Sequence, residues 1–194
     1  MTVDDVVKES EQDEIFYRNS GGGVTISGGE PLSQWEFTYE LLKACKQKHF
    51  HTALDTCGYA RWSILEKVLE YVDLVLYDIK HMNPQRHKSG TGKNNTLIIN
   101  NIHRIPSSVK IWLRVPLIAG YNDSSDNITA IAELASDIGA EKISLLPYHE
   151  FGKEKYYNLG RPYPPAQFSS PDSEHIQWLK ELIESLGIDA TVGS

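Results

Sequence analysis

Apolar residues fall along the chain in two alternating patterns. Short β-branched or leucine-rich runs recur at VTIS (24–27), HTALDT (51–56), LVLYDI (74–79), KIWLRVPLI (110–118) and KISLLPYH (142–149). Between most of them lie stretches with apolar residues every three or four positions. Residues 34–47 carry Phe37, Leu41, Leu42 and Cys45 at this spacing, and 61–70 carry Trp62, Leu65 and Leu69. Ile128, Ile131, Leu134, Ala135 and Ile138 mark 126–138, with Gly139 as the stop. Pro171-Asp172-Ser173 opens a last helix near 173–186, with the stripe Leu179, Leu182, Ile183 and Leu186, closed by Gly187. Thr2-Val3-Asp4-Asp5 opens one at the front, acidic in its first turn as the helix dipole prefers. The runs read as strands and the periodic stretches as helices.

Strand then helix, repeated, predicts an α/β fold with a parallel sheet and crossover helices. Near-continuous apolar strands predict burial on both faces. Strands are expected to begin near residues 24, 51, 74, 110 and 142, in one domain over residues 1–194. This pattern fits either an open doubly wound sheet or part of a (β/α) barrel, since a closed eight-stranded barrel takes about 250 residues.

Composition narrows the function classes. A net charge of −7 gives no support for nucleic-acid binding. No apolar run approaches the roughly 18 residues of a membrane helix. The opening MTVDDVVKES lacks the apolar core of a signal peptide, so a cytoplasmic protein without membrane partners is expected. Two cysteines, Cys45 and Cys57, make no disulfide framework and are too few for a standard three- or four-cysteine metal site.

In parallel α/β sheets, chemistry sits at the carboxyl ends of the strands. Here those ends carry Ser27-Gly28-Gly29-Glu30, Asp55-Thr56-Cys57-Gly58, Asp78-Ile79-Lys80, Arg114 and Tyr148-His149-Glu150. One rim would gather carboxylates, an ammonium, a guanidinium and an imidazole, a set that suits a small zwitterionic ligand. Other candidates are weaker. Gly21-Gly22-Gly23 precedes a strand, so it is no phosphate loop, and TGKNN (91–95) lacks the Walker spacing. His49 and His51 read as surface residues and Cys45 as core. Asn100 and Asn101 read as local backbone hydrogen bonders. Lys80 would also permit Schiff-base chemistry of the aldolase type, although no motif supports it.

Five segments, SGGGVTISGGEPL, LDTCGY, YDIKHMNPQRHKSGTGKNN, LRVPLIAGYND and LLPYHEFGKEKYYNLGR, resemble in order the motifs of glycyl-radical-enzyme activating enzymes. These are radical S-adenosylmethionine proteins and include the pyruvate formate-lyase activating enzyme. The resemblance implies a partial TIM-like (β/α) barrel, here of about five parallel strands. It implies S-adenosylmethionine bound beside a [4Fe–4S] cluster and cleaved reductively to a 5′-deoxyadenosyl radical. That radical takes a hydrogen atom from a glycine on a partner glycyl radical enzyme, with flavodoxin or ferredoxin as electron donor. By the resemblance, Ser27, Gly28, Gly29, Glu30, Asp55, Lys80, Arg114 and His149 bind the cofactor. Lys80, Arg114 and His149 also belong to the catalytic set, and Asp55, Thr56 and Asp78 hold a monovalent cation. The family's CxxxCxxC cluster motif is absent from these 194 residues, and Cys45 and Cys57 lie on different elements. The chain therefore reads as the carboxy-terminal part of such an enzyme, open on the side of a missing first strand and inactive alone, with the cluster in the complete protein only. The alternative is a non-catalytic remnant that binds a partner protein or S-adenosylmethionine.

Overall fold

The computed structural model describes residues 2–148 and 168–193. Six strands form one sheet in the order β1 (Gly23–Ile26), β2 (His51–Thr56), β3 (Leu74–Asp78), β4 (Lys110–Leu117), β5 (Lys142–Pro147) and β6 (Asp189–Val192). All five pairings are parallel, so every strand ends at the same rim. The helices are α1 (Val3–Ser10), α2 (Glu14–Ser20), α3 (Trp35–Gln47), α4 (Trp62–Leu69), α5 (Pro84–Thr91), α6 (Thr96–Ile102), α7 (Ser125–Asp137) and α8 (Ser173–Ser185). No helix among the described residues is long and apolar enough to cross a membrane.

The expected helix starts are real caps. Thr2 and Asp5 form a reciprocal capping box on α1: Asp5 N donates to Thr2 Oγ1 at 3.2 Å and Thr2 N to Asp5 Oδ2 at 2.8 Å. Asp172 caps α8 by accepting from His175 N at 2.8 Å.

Two expectations need correction. Among the described residues burial on both faces is uneven: β2 and β5 each bury three consecutive residues, Thr52, Ala53 and Leu54 and Ile143, Ser144 and Leu145, whereas β4 alternates. Along β4, Ile111, Leu113, Val115 and Leu117 are buried, while Trp112, Arg114 and Pro116 between them are partly exposed. The buried set packs with Leu42, Leu65, Ile98, Ile128, Ile131, Leu179 and Ile183 of the helices into one continuous core. On the other face of β4 lie Trp112, Arg114 and Pro116, each partly exposed among the described residues. The second correction is β6, which adds a strand to the expected five. Only Ala190 of its four residues is buried, so no apolar run announces it.

Candidate functional site

The rim residues converge. Ser27, Gly28, Gly29, Glu30, Asp55, Thr56, Asp78, Lys80 and Arg114 line one cleft of about 320 Å³, together with Cys57. His149 lies outside the described residues, so its position relative to this cleft is not part of the observed geometry.

The glycine corner after β1 is built on left-handed backbone. Gly28 has φ +91° and Gly29 φ +48°, a region that favours glycine. A Cβ added at either would meet nothing within 4 Å, so the chain presents bare backbone to open space there.

Glu30 follows and is held from three sides. Its Oε1 accepts from Leu32 N at 3.1 Å and from Thr56 Oγ1 at 2.6 Å, and its Oε2 accepts from Cys57 N at 3.0 Å. These bonds fasten the β1 corner to the end of β2 and fix the carboxylate in one orientation. Thr56, in turn, accepts from Gly58 N at 3.0 Å.

The rest of the lining is largely ionic. Arg114 Nη1 donates to Asp55 Oδ2 at 2.7 Å, and its Nε lies 3.6 Å from Asp78 Oδ1. Lys80 Nζ approaches the other oxygen of Asp78 at 3.4 Å. Asp78 Oδ1 and Arg114 Nε are the buried side-chain atoms left without a hydrogen bond among the described residues. Burial pushes the Asp55 carboxyl above its ordinary range; Arg114 pulls it back, while Asp78 and Glu30 push it further up. Of the oxygens assigned by resemblance to a monovalent cation, Asp55 Oδ2 and the Thr56 hydroxyl have protein partners, whereas Asp78 Oδ1 has no hydrogen bond among the described residues. Asp55 holds a guanidinium, Thr56 donates to Glu30, and Arg114 supplies the positive charge.

Cys57, expected at the end of β2 but without a role, and several further neighbours shape the site. Cys57 lines the cleft, its thiol pushed up to about 11 by burial and by its hydrogen bond and proximity to Glu30. A second, largely apolar cavity of about 300 Å³ adjoins it through Glu30, Cys57 and Lys80, and is walled by Tyr59, His87 and Ile98. Asn101 is no local hydrogen bonder: its Nδ2 donates to Gly58 O and Ala60 O, both at 2.8 Å, and so shapes the loop that follows Cys57. An asparagine inside a periodic apolar helix was the signal available for it. Of the other dismissed candidates, His49 is exposed and Cys45 buried as expected, while His51, expected at the surface, is half-buried at the start of β2.

A six-stranded parallel sheet with helices in its crossovers, carrying a bare-backbone corner and a charged cleft at its carboxyl edge, has the architecture of a partial (β/α) barrel. The profile of the radical SAM superfamily matches residues 1–134. The isethionate sulfite-lyase activating enzyme of Oleidesulfovibrio alaskensis is 47% identical over 169 residues, 86% of this chain and 54% of that protein. The trans-4-hydroxy-L-proline dehydratase activating enzyme of Clostridioides difficile is 39% identical over 196 residues, 99% of this chain and 65% of that protein. A crystallised domain of pyruvate-formate lyase-activating enzyme from Bacteroides vulgatus superposes with a TM-score of 0.74 at 33% identity, covering 89% of this chain and 99% of that one. The chain belongs to the radical SAM superfamily and, within it, to the family of glycyl-radical-enzyme activating enzymes. It spans 54% and 65% of the lengths of the two full-length relatives.

Proposed function

We propose that the cleft binds the methionine end of S-adenosylmethionine and that the whole protein generates a glycyl radical on a partner enzyme. The observation that supports this most is that Glu30 and Lys80 line one cleft together with Gly28 and Gly29, whose bare backbone leaves open space beside them. An amino acid zwitterion needs that arrangement: an acceptor for its ammonium and a donor for its carboxylate. Glu30 would receive the amino group, and Lys80 and Arg114 the carboxylate. Ser27 and the glycine backbone would complete the amino-group contacts.

When bound, S-adenosylmethionine supplies a sulfonium carbon–sulfur bond that breaks on one-electron reduction. The task of these residues is to hold the ligand in one orientation, each charge-assisted contact contributing about 1.5–3 kcal/mol. The iron–sulfur cluster fits these residues less well. Cys45 is a buried residue of α3 and Cys57 keeps its proton at neutral pH, whereas a cluster takes thiolates. With only these two cysteines, residues 1–194 do not furnish the thiolates of a cluster site. A monovalent cation at Asp55, Thr56 and Asp78 belongs to the same proposal and would compete with Arg114 for Asp55. His149 enters it by resemblance alone, as does flavodoxin or ferredoxin as donor, while a cytoplasmic location rests on the opening residues, which lack the apolar core of a signal peptide.

The test is ligand-observed NMR with S-adenosylmethionine, which reads weak binding. Saturation transfer to the methionine protons is expected, weakened in Glu30→Gln and in Lys80→Met. No transfer, or transfer unchanged in both variants, would overturn the assignment. Anaerobic reconstitution of the chain with iron and sulfide is expected to give no 5′-deoxyadenosine.

A further inference from the structure

Beyond β3 the chain runs through Ile79, Lys80, His81 and Met82 before Asn83 caps α5. Ile79 N still donates to Arg114 O at 2.9 Å, but the groups that follow have no strand partner. Buried backbone groups need partners from somewhere. Three side-chain amides from later in the chain supply them. Asn122 Nδ2 donates to Lys80 O at 2.9 Å and to Pro116 O at 2.8 Å, while its Oδ1 accepts from Ile118 N at 2.8 Å. Asn95 Nδ2 donates to His81 O at 2.9 Å and to Met82 O at 2.7 Å. Asn127 Oδ1 accepts from Met82 N at 2.9 Å, and its Nδ2 donates to Asn122 O at 2.9 Å.

The consecutive carbonyls of Lys80, His81 and Met82 are thus all clamped, by residues only 0–4% exposed. Only an amide brings two donors and an acceptor on one short side chain, so neither Asp nor Leu could replace these asparagines. Asn122 does something more specific than fill a bonding gap. It ties the main chain at Lys80 to the end of β4, the strand whose Arg114 shares Asp78 with Lys80.

We infer that Asn95, Asn122 and Asn127 are positioning residues, which fix the Lys80 backbone so that its ammonium stands in the cleft beside Asp78. The consequence for binding rests on the proposed role of Lys80 toward the ligand carboxylate. A flexible lysine on an unclamped loop would lose that contact to side-chain and backbone entropy.

Reductive ¹³C-methylation of the chain gives each lysine an NMR signal, and Lys80→Arg assigns that of Lys80. Asn122→Ala and Asn95→Ala are expected to shift and broaden the Lys80 signal while those of Lys46 and Lys142 stay in place. Asn127→Ala serves if either fails to fold. Asn101→Ala removes a comparable buried amide from a different loop. It should lower the melting temperature and leave the Lys80 signal where it was. A Lys80 signal unmoved in the folded clamp variants, or moved equally by Asn101→Ala, would overturn the inference. Ligand-observed NMR then compares S-adenosylmethionine with its decarboxylated analogue. Asn122→Ala should weaken the former about tenfold and leave the latter unchanged. Equal losses for both would overturn the binding consequence. Binding of neither by the wild-type chain would overturn the cofactor reading itself, with the Lys80 signal still deciding the positioning.

Discussion

Thr56 Oγ1 donates to Glu30 Oε1 at 2.6 Å across 26 residues of sequence, and this bond joins the two corners that form one wall of the cleft. Thr56 is buried, and the same hydroxyl accepts from Gly58 N. Thr56→Val keeps the shape but strands the Gly58 N–H and removes a donor from Glu30. A loss of about 1–3 kcal/mol is expected in chemical denaturation. A valine variant as stable as the parent would show that the bond contributes nothing.

Two aspartates should titrate with opposite effects on stability. Burial alone would raise the Asp73 carboxyl, but Lys46 Nζ at 2.7 Å and the Thr52 N–H at 2.8 Å hold it below its ordinary 3.8. Its contribution is present above pH 3.8 and fades as the pH falls through the lower folded value. Asp55, raised by burial, binds its proton more readily in the folded state. Its contribution is therefore greatest below pH 3.8 and declines as the pH rises through the raised folded value. Urea melts across the acid range check this: Asp73→Asn should lose its deficit towards low pH, and Asp55→Asn should flatten the opposite slope.

Cys57 lines the cleft yet should be a poor nucleophile. Its thiol is pushed up to about 11 by burial and by Glu30. At pH 8 its thiolate fraction is about a hundredfold below that of a free cysteine, so iodoacetamide should label it correspondingly slowly. Rates followed by mass spectrometry should climb steeply towards pH 11. In Glu30→Gln the rise should move to lower pH, because the neighbouring negative charge is gone.

Two glycine substitutions should separate stability from binding. At Gly58, with φ +67°, a new Cβ would sit 1.8 Å from Tyr77 Oη, whose buried ring is itself tied to Ile98 O at 2.8 Å. Gly58→Ala should destabilise the fold by more than about 2 kcal/mol. At Gly29 the new Cβ meets nothing, so Gly29→Ala carries only the left-handed backbone cost of about 1–2 kcal/mol. It should nevertheless reduce S-adenosylmethionine binding, because the methyl group occupies space where the ligand would lie against the backbone. Thermal melts and ligand-observed NMR on both variants distinguish the two effects.

Local physics wrote much of this protein into its sequence. β-branched runs and helical periodicity placed five strands and the main helices, because burial of one stripe or run demands that spacing. Thr2 and Asp172 announced their caps, because a side-chain oxygen at that position satisfies exposed backbone N–H groups. Strand–helix alternation implied parallel pairing, and parallel pairing alone put Glu30, Asp55, Asp78, Lys80 and Arg114 on one rim. Tertiary structure decided how those groups are used. That Arg114 bridges Asp55 and Asp78, and that Thr56 serves Glu30, depends on strand register and side-chain lean, which no local pattern encodes. β6 exists because α8 returns the chain to the edge of β5, since its own four residues carry too little apolar signal to declare a strand. The asparagine clamps were invisible for the same reason. Asn122 reaches Lys80 across 42 residues, and an amide's long-range partners are fixed only once the loops around it have folded.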